Sequence, residues 1–331
     1  MASHDDQPAR SVRREVAADD DPGRGEVGSE AMASEPVFAG ITLTNPDRVF
    51  YPELGLTKLD LARYYEAVAS AMLPYLVDRP ISLVRCPEGH TKECFFQRHA
   101  KRGISKSIKE VHIPGGKSQE KYLYIEGEAG LFGLVQIGAL EIHDWGVSLA
   151  EIDKPDRIVF DLDPDEGLEL SALKVAAEEV RKFLADLGFK SFLKSSGGKG
   201  LHVVAPLVPR LGWDKVKAFA KGVADALVEV QPSRYTSNPL KRTRKNKIFV
   251  DYLRNQRGGS AIALYSTRAK KGAPVAGPLA WDELKSLKTA APFDVKSMPP
   301  RLKRLKRDPW EGYFKTRQSI TVKALKAFGL E

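Results

Sequence analysis

The chain has 331 residues, 42% hydrophobic and 29% charged, with 52 Lys and Arg against 43 Asp and Glu. This suits one large domain or two smaller ones with a sizeable core. It holds no apolar run near the ~20 residues of a membrane span and no hydrophobic signal region, so a cytoplasmic, membrane-free protein is expected.

Residues 1 to 37 carry four bases against nine acids and almost no large apolar side chains. Such a segment cannot bury enough surface to offset its ordering entropy, so it reads as a disordered acidic tail or linker. Residues 38–331 carry 48 bases against 34 acids, which points either to a polyanion partner, nucleic acid first, or to a soluble basic surface.

Residues 43–52 read as a strand or loop with an Asn-Pro turn. Thr57 then caps a helix, with Asp60 at the third position of a capping box. Leu59, Ala62, Tyr65, Ala69 and Met72 give it an apolar stripe that stops at Pro74. Asn45, Arg48 and Lys58 lie beside its start, where bases near a helix N-terminus suit a phosphate or are simply solvated.

Residues 79–87 and 94–99 read as two hairpin strands. The adjacent Phe95 and Phe96 face opposite ways, one towards the core and one free to stack on a base, unless both are core. Cys86 and Cys94 are too few for a disulfide framework and are expected as free thiols in a reducing compartment. With His90 and His99 they do not match zinc-site spacing.

A strand at 122–125 and a short helix from 127 to about 139 come next. The strand Leu140 to Trp145 places Glu141 and His143 on one face, Leu140 and Ile142 on the other. Ile158-Val159-Phe160-Asp161-Leu162-Asp163-Pro164 is an apolar strand that ends in two acids at alternate positions. Asp161 and Asp163 therefore project together, and side-by-side carboxylates call for a cation or a proton between them. The alternative is an Asp-Pro turn with solvated acids.

A helix from about 171 to 187, closed by Gly188, and a strand at 191–194 lead to Ser195-Ser196-Gly197-Gly198-Lys199-Gly200-Leu201-His202. This turn lacks Walker A spacing and precedes a strand rather than a helix. Glycines still allow close backbone approach, while Ser196, Lys199 and His202 supply donors for phosphate oxygens. A helix at about 214–229 precedes a basic run that includes Arg244. That run delivers a strand at 248–253, whose Asp251 needs a partner if buried. Arg254, Arg257 and Arg268 flank a strand at 261–264. Residues 274–300 read as loop and helix, and 301–307 form a further basic cluster.

Three strand-borne acids, a phosphate-friendly turn and many bases fit nucleotidyl transfer with two divalent ions. Asp-Leu-Asp-Pro at 161–164, Ser-Ser-Gly-Gly-Lys-Gly-Leu-His at 195–202 and Phe-Val-Asp at 249–251 resemble the archaeo-eukaryotic primase superfamily. Within it, the sequence is most similar to the polymerase domain of bacterial LigD end-joining proteins. Residues 43–52, Arg-Pro at 79–80, Cys-Phe-Phe at 94–96 and Leu-Glu-Ile-His at 140–143 extend the resemblance over about 40 to 305.

The resemblance implies an α+β primase-polymerase fold: two packed, mostly antiparallel β-sheets, one of RNA-recognition type, flanked by helices. It implies a polymerase domain over 38–331, with Asp161, Asp163 and Asp251 as catalytic residues on Mn²⁺ or Mg²⁺. Ser196, Lys199 and His202, with Arg244 and Arg268, would hold the nucleoside triphosphate. His143 would meet the ribose 2′-hydroxyl, Phe95 and Phe96 would stack on bases, and Asn45, Arg48 and Lys58 would hold a 5′-phosphate. Arg48 departs from the Lys common at its position.

The implied function is gap filling and end extension in non-homologous end joining, with a preference for ribonucleotides. Implied partners are gapped or broken DNA, NTP or dNTP, Ku and an ATP-dependent ligase, around a bacterial nucleoid. Alternatives are a replication-type priming polymerase and a non-catalytic end-binding module. A Lys-x-Asp-Gly ligase motif is missing, so the chain is expected to be a stand-alone polymerase or part of a longer protein.

Overall fold

In chain order the elements are β1 (Val37–Phe38), β2 (Ile41–Thr42), β3 (Val49–Tyr51), β4 (Leu56–Thr57), α1 (Lys58–Leu76), β5 (Ile81–Arg85), β6 (Phe95–Gln97), β7 (Lys109–His112), β8 (Lys121–Tyr124), α2 (Glu128–Gln136), β9 (Ala139–Trp145) and β10 (Arg157–Pro164). They continue with α3 (Leu170–Asp186), β11 (Phe192–Ser195), β12 (Leu201–Pro206), α4 (Trp213–Val230), β13 (Tyr235–Thr236), β14 (Ile248–Asp251), β15 (Ser260–Ile262), β16 (Gly277–Leu279), α5 (Glu283–Ser286), α6 (Met298–Arg304) and α7 (Val322–Lys326). This computed structural model describes residues 34–100, 104–114 and 121–330. The tail expected over 1–37 lies outside the described residues except for its last four. Glu35–Glu331 form one compact unit.

The first large sheet has the order β13-β14-β10-β12-β11-β16. All its pairings are antiparallel except β13 with β14. Within it, β10-α3-β11-β12-α4-β14 is a β-α-β-β-α-β unit, with β10 and β12 central and β14 and β11 outside them. RNA-recognition sheets share this four-stranded plan. Ile158, Phe160 and Leu162 of β10 are fully buried on one face, and α3 and α4 contribute the buried Ala176, Val180, Phe219 and Val223. The opposite face of β10 is left for Asp161 and Asp163.

The second large sheet runs β15-β9-β5-β8-β7, with β6 also on β5. Helix α1 begins with the expected capping box: Thr57 Oγ1 accepts the Asp60 N–H, and Asp60 accepts the Thr57 N–H. It runs two residues beyond Pro74, further than the sequence suggests. Three α1-side tyrosines then fix the segment that leads to Arg268. Tyr64 donates to the Tyr265 carbonyl at 2.7 Å, Tyr51 to the Arg268 carbonyl at 2.8 Å, and Tyr65 meets Thr267 at 3.2 Å.

Two expectations need correction. Residues 274–300 contain the edge strand β16, paired Leu193↔Leu279 with β11. Gly-Pro-Leu has no alternation to signal a strand, and its proline is tolerated only because β16 lies at an edge. Cys86 and Cys94 are not free: they form a disulfide. Pairing of Arg85 with Phe95 brings the flanking cysteines to a Cα separation of 4.3 Å. Among the described residues, no helix is long and apolar enough to cross a membrane.

Candidate active site

The β10–β14 register sets Asp161 directly opposite Asp251 and Asp163 opposite Phe249. Opposed residues share a face, as do residues two apart, so all three carboxylates project from one side of the sheet. Extending the row, His202 of β12 opposes Asp161 and Lys194 of β11 opposes His202. Acid, acid, imidazole and ammonium thus sit side by side on four strands.

Cations stand between the acids. Arg254 reaches Asp161 and Asp251, each at 3.1 Å. Asp163 is held by Arg244 at 2.9 Å and Lys199 at 3.2 Å. His202 Nε2 lies 3.3 Å from Asp161. Burial pushes the His202 ring down to about 4, so at neutral pH it is uncharged. Burial alone would raise Asp161, but His202, Arg254 and Lys194 outweigh it and hold the carboxyl well below the usual range. Asp251 goes the other way: burial raises it, and Arg254 only partly offsets that. Burial also brings Lys194 down to about 7. Among the described residues, no three His, Cys, Asp or Glu groups close on one point in this arrangement.

The glycine turn abuts this face. Gly197 has φ +67°, and a Cβ there would meet Val275 and Ala276 backbone at 2.9 Å. A Cβ on Gly200 would come within 2.5 Å of the Leu162 carbonyl, between the two acids of β10. Ser196 Oγ donates to the Gly200 carbonyl at 2.8 Å and accepts from the Gly198 N–H at 3.3 Å. Lys199 also donates to the Pro164 carbonyl at 2.8 Å. A cavity of about 190 Å³ joins this turn to the acids, and its walls include Asp161, Asp163, Ser196, Lys199, His202, Arg268 and His143. Asp251 and Arg244 are not among its walls but pair with residues that are, Asp251 with Arg254 and Arg244 with Asp163.

Arg268 donates to the Ser196 carbonyl at 2.8 Å and pairs with Glu141 at 3.0 Å. The other Glu141 oxygen lies 2.8 Å from His143 Nε2. Phe96 is 49% exposed with its ring 6.1 Å from that of His143, while Phe95 is half-buried beneath Arg85. Neither phenylalanine is a full core residue.

Asn45, Arg48 and Lys58 meet at the start of α1, apart from this cavity. Arg48 donates to Glu88 at 2.8 Å and to the Pro87 carbonyl at 3.0 Å. Lys58 donates to the Thr44 carbonyl at 2.9 Å and to Gln136 at 2.8 Å. Burial, then Arg48, brings Lys58 down to about 8. The zinc reading fails on contacts as well as on spacing: both thiols are bonded, and His90 pairs with Glu53 at 2.8 Å.

Sequence reasoning missed four groups. Arg254 had a signal, a cation three residues after a buried acid. Glu141 had one too, its shared face with His143. Gln136 had none. Nor did Asn255, whose amide accepts from Val159 N–H and donates to Val159 O, both at 2.8 Å. It replaces the strand partner β10 lacks beyond the end of β14, and it anchors the turn that carries Arg254.

An acidic sheet face beside a cation-lined glycine turn is thus the centre of this α+β fold. The family described as LigD, primase-polymerase domain, matches residues 57–310. The multifunctional non-homologous end joining protein LigD of Pseudomonas aeruginosa is 40% identical over 98% of this chain and 39% of its own length. The protein of that name from Mycolicibacterium smegmatis is 33% identical over 75% of this chain and 33% of its own. Thus the chain spans about two fifths or less of these curated relatives. The solved polymerase domain from Mycobacterium tuberculosis Ligase D, in complex with DNA, superposes with a TM-score of 0.76 at 32% identity, covering 82% of this chain and 97% of that one. The chain belongs to the LigD primase-polymerase domain family.

Proposed function

We propose that this chain is a template-directed nucleotidyltransferase, a primase-like DNA and RNA polymerase that fills gaps and extends ends in non-homologous end joining. The observation that carries this reading is the opposition of Asp161 and Asp251, with Asp163 on the same face, beside the Ser196–Lys199 turn. The polymerase domain covers 38–331, and residues 1–37 are its tail or linker. Substrates are NTP or dNTP and gapped or broken DNA. Ku and an ATP-dependent ligase are the proposed partners, in the cytoplasm at the nucleoid.

The donor type fits Mg²⁺ or Mn²⁺, since Asp161, Asp163 and Asp251 project oxygen donors from one face of the sheet with no sulfur ligand among them. Such ions, held by Asp161, Asp163 and Asp251, would neutralise charge at the attacking 3′-hydroxyl and the leaving pyrophosphate. The remaining work is done by the chain's own groups. Arg254, Arg244 and Lys199 pair with the acids and shield their mutual repulsion. Arg268, Lys199 and Ser196, with His202 and Arg244, hold the triphosphate against the glycine turn. His143 contacts the ribose, while Phe96 and Phe95 stack on bases. Positioning and charge stabilisation account for the rate, as phosphoryl chemistry requires.

Asp161→Ala is expected to abolish nucleotide incorporation on a gapped primer-template. Unchanged incorporation overturns the assignment.

Asn45, Arg48 and Lys58 form the 5′-phosphate site of the downstream strand. Lys58 is charged below its pKa of about 8 and loses its proton as pH rises through it. Preference for a 5′-phosphorylated gap over an unphosphorylated one is therefore expected to fall above pH 8. Lys58→Ala should lower that preference by about tenfold, the worth of one charge-assisted hydrogen bond, and flatten its pH dependence. Equal losses on both gaps argue against a dedicated site.

A further inference from the structure

We propose that Glu141 is the positioning residue for sugar selection: it fixes His143 as a hydrogen-bond acceptor, so a nucleotide is chosen by the power of its 2′-hydroxyl to donate. The inference rests on the polymerase reading above, with His143 at the ribose.

Glu141 is 6% exposed and both its oxygens are engaged. Oε1 accepts the Ala269 N–H at 3.0 Å and pairs with Arg268 at 3.0 Å. Neither partner can do anything but donate. Oε2 lies 2.8 Å from His143 Nε2. An ionised carboxylate only accepts, and Glu141 stays ionised: burial would raise it, but His143 and Arg268 prevail and bring it down to about 2. The proton of the ring therefore sits on Nε2. Burial pushes His143 itself down, which keeps the ring neutral and leaves Nδ1 a lone-pair acceptor. The ring lines the same cavity as Ser196, Lys199 and Arg268, and the Phe96 edge stands against it.

A 2′-hydroxyl can donate to that nitrogen; a 2′-hydrogen offers nothing. A 2′-fluorine matches the hydroxyl in size and sugar pucker, yet it has no proton and opposes the lone pair. Glutamine at position 141 has a single carbonyl oxygen. If that oxygen stays on Arg268 and Ala269, its NH₂ turns to His143 and imposes the other tautomer. Nδ1 then donates, and fluorine and hydroxyl both become acceptable partners.

The test compares kcat and KM for 2′-hydroxyl, 2′-fluoro and 2′-deoxy nucleoside triphosphates on one 5′-phosphorylated gap. Wild type should favour the hydroxyl over both others by about threefold to tenfold, the worth of one neutral hydrogen bond, with the difference in KM. Glu141→Gln should raise the fluoro nucleotide to the level of the hydroxyl, and His143→Ala should make all three alike. Fluoro equal to hydroxyl in wild type, with both above deoxy, overturns the inference and leaves the His143 reading standing. So does a fluoro nucleotide still rejected by a folded Glu141→Gln. Equal use of all three by wild type removes the His143 reading and this inference together. The wild-type comparison decides the matter even where the variant folds poorly.

Discussion

Asp251→Asn is expected to lower metal-dependent incorporation by at least about a hundredfold, the usual cost of losing a key electrostatic group, while the fold stays as stable as wild type or gains slightly. The reason lies in the opposite electrostatics of two facing carboxylates. Asp251 is 7% exposed, and burial raises its pKa above the ordinary value. An acid raised in the folded state favours its protonated form there. Its contribution to stability is therefore present at low pH and is lost as pH rises from the unfolded value through the raised one. At neutral pH the ionised carboxylate is a net cost, which Asn removes while keeping an oxygen for the Leu253 N–H that Asp251 accepts at 2.8 Å. Asp161 is held low, so its stabilising contribution is present at neutral pH and lost as pH falls through its depressed value. Asp161→Asn should thus lower both activity and melting temperature. Matching losses of melting temperature in the two variants would refute the assigned asymmetry; retained activity in Asp251→Asn would take that residue out of the metal set.

The counter-charges explain how such a cluster survives folding. Two ionised carboxylates on directly opposed positions repel, and like charges there are destabilising. Arg254 satisfies both at once, and Asn255 holds the Arg254 turn to β10 through Val159. Arg254, which links Asp161 to Asp251, is thus the counter-ion of this acidic pair, and under the metal-binding function proposed above it would give way to the cations.

Local features of this architecture were legible in the sequence, and the long-range ones were not. The period-two acids, the glycine turn and the Thr57 capping box are each written within eight residues. The β-α-β-β-α-β unit shows as an alternation of apolar strands and amphipathic helices, and the resemblance supplied its name. The opposition of Asp161 and Asp251 depends on register between strands some 90 residues apart, which alternation leaves free by any even shift. The disulfide was missed for a related reason. Counting cysteines says nothing of hairpin geometry, and only the Arg85–Phe95 pairing brings Cys86 and Cys94 together. Glu141 was read for its face but not for its double engagement, because its second partner, Arg268, arrives from a segment held by distant tyrosines.

Gly200→Ala is expected to be the most damaging single methyl in the site, although it removes no functional group. Its Cβ would stand 2.5 Å from the Leu162 carbonyl, which is backbone and cannot rotate away. Leu162 lies between Asp161 and Asp163 and pairs with Leu201, the residue after the glycine. Relief of the clash must therefore move β10 or β12 and carry the two acids with it. Overpacking of this kind costs about 1–3 kcal/mol, which for a chain of this size lowers the melting temperature by several degrees. Activity should fall further than stability, since a displacement of about 1 Å at a reacting centre can cost about a hundredfold. Gly198→Ala is the control. Its Cβ would meet the Lys270 ammonium at 3.4 Å and Ser196 Oγ at 3.5 Å, both ordinary contacts, and its φ is not in the left-handed region. It should melt within a degree or two of wild type. Equal melting temperatures and equal incorporation rates for the two variants would show that β10 yields freely at Leu162, and that the glycine turn does not set the position of the acids.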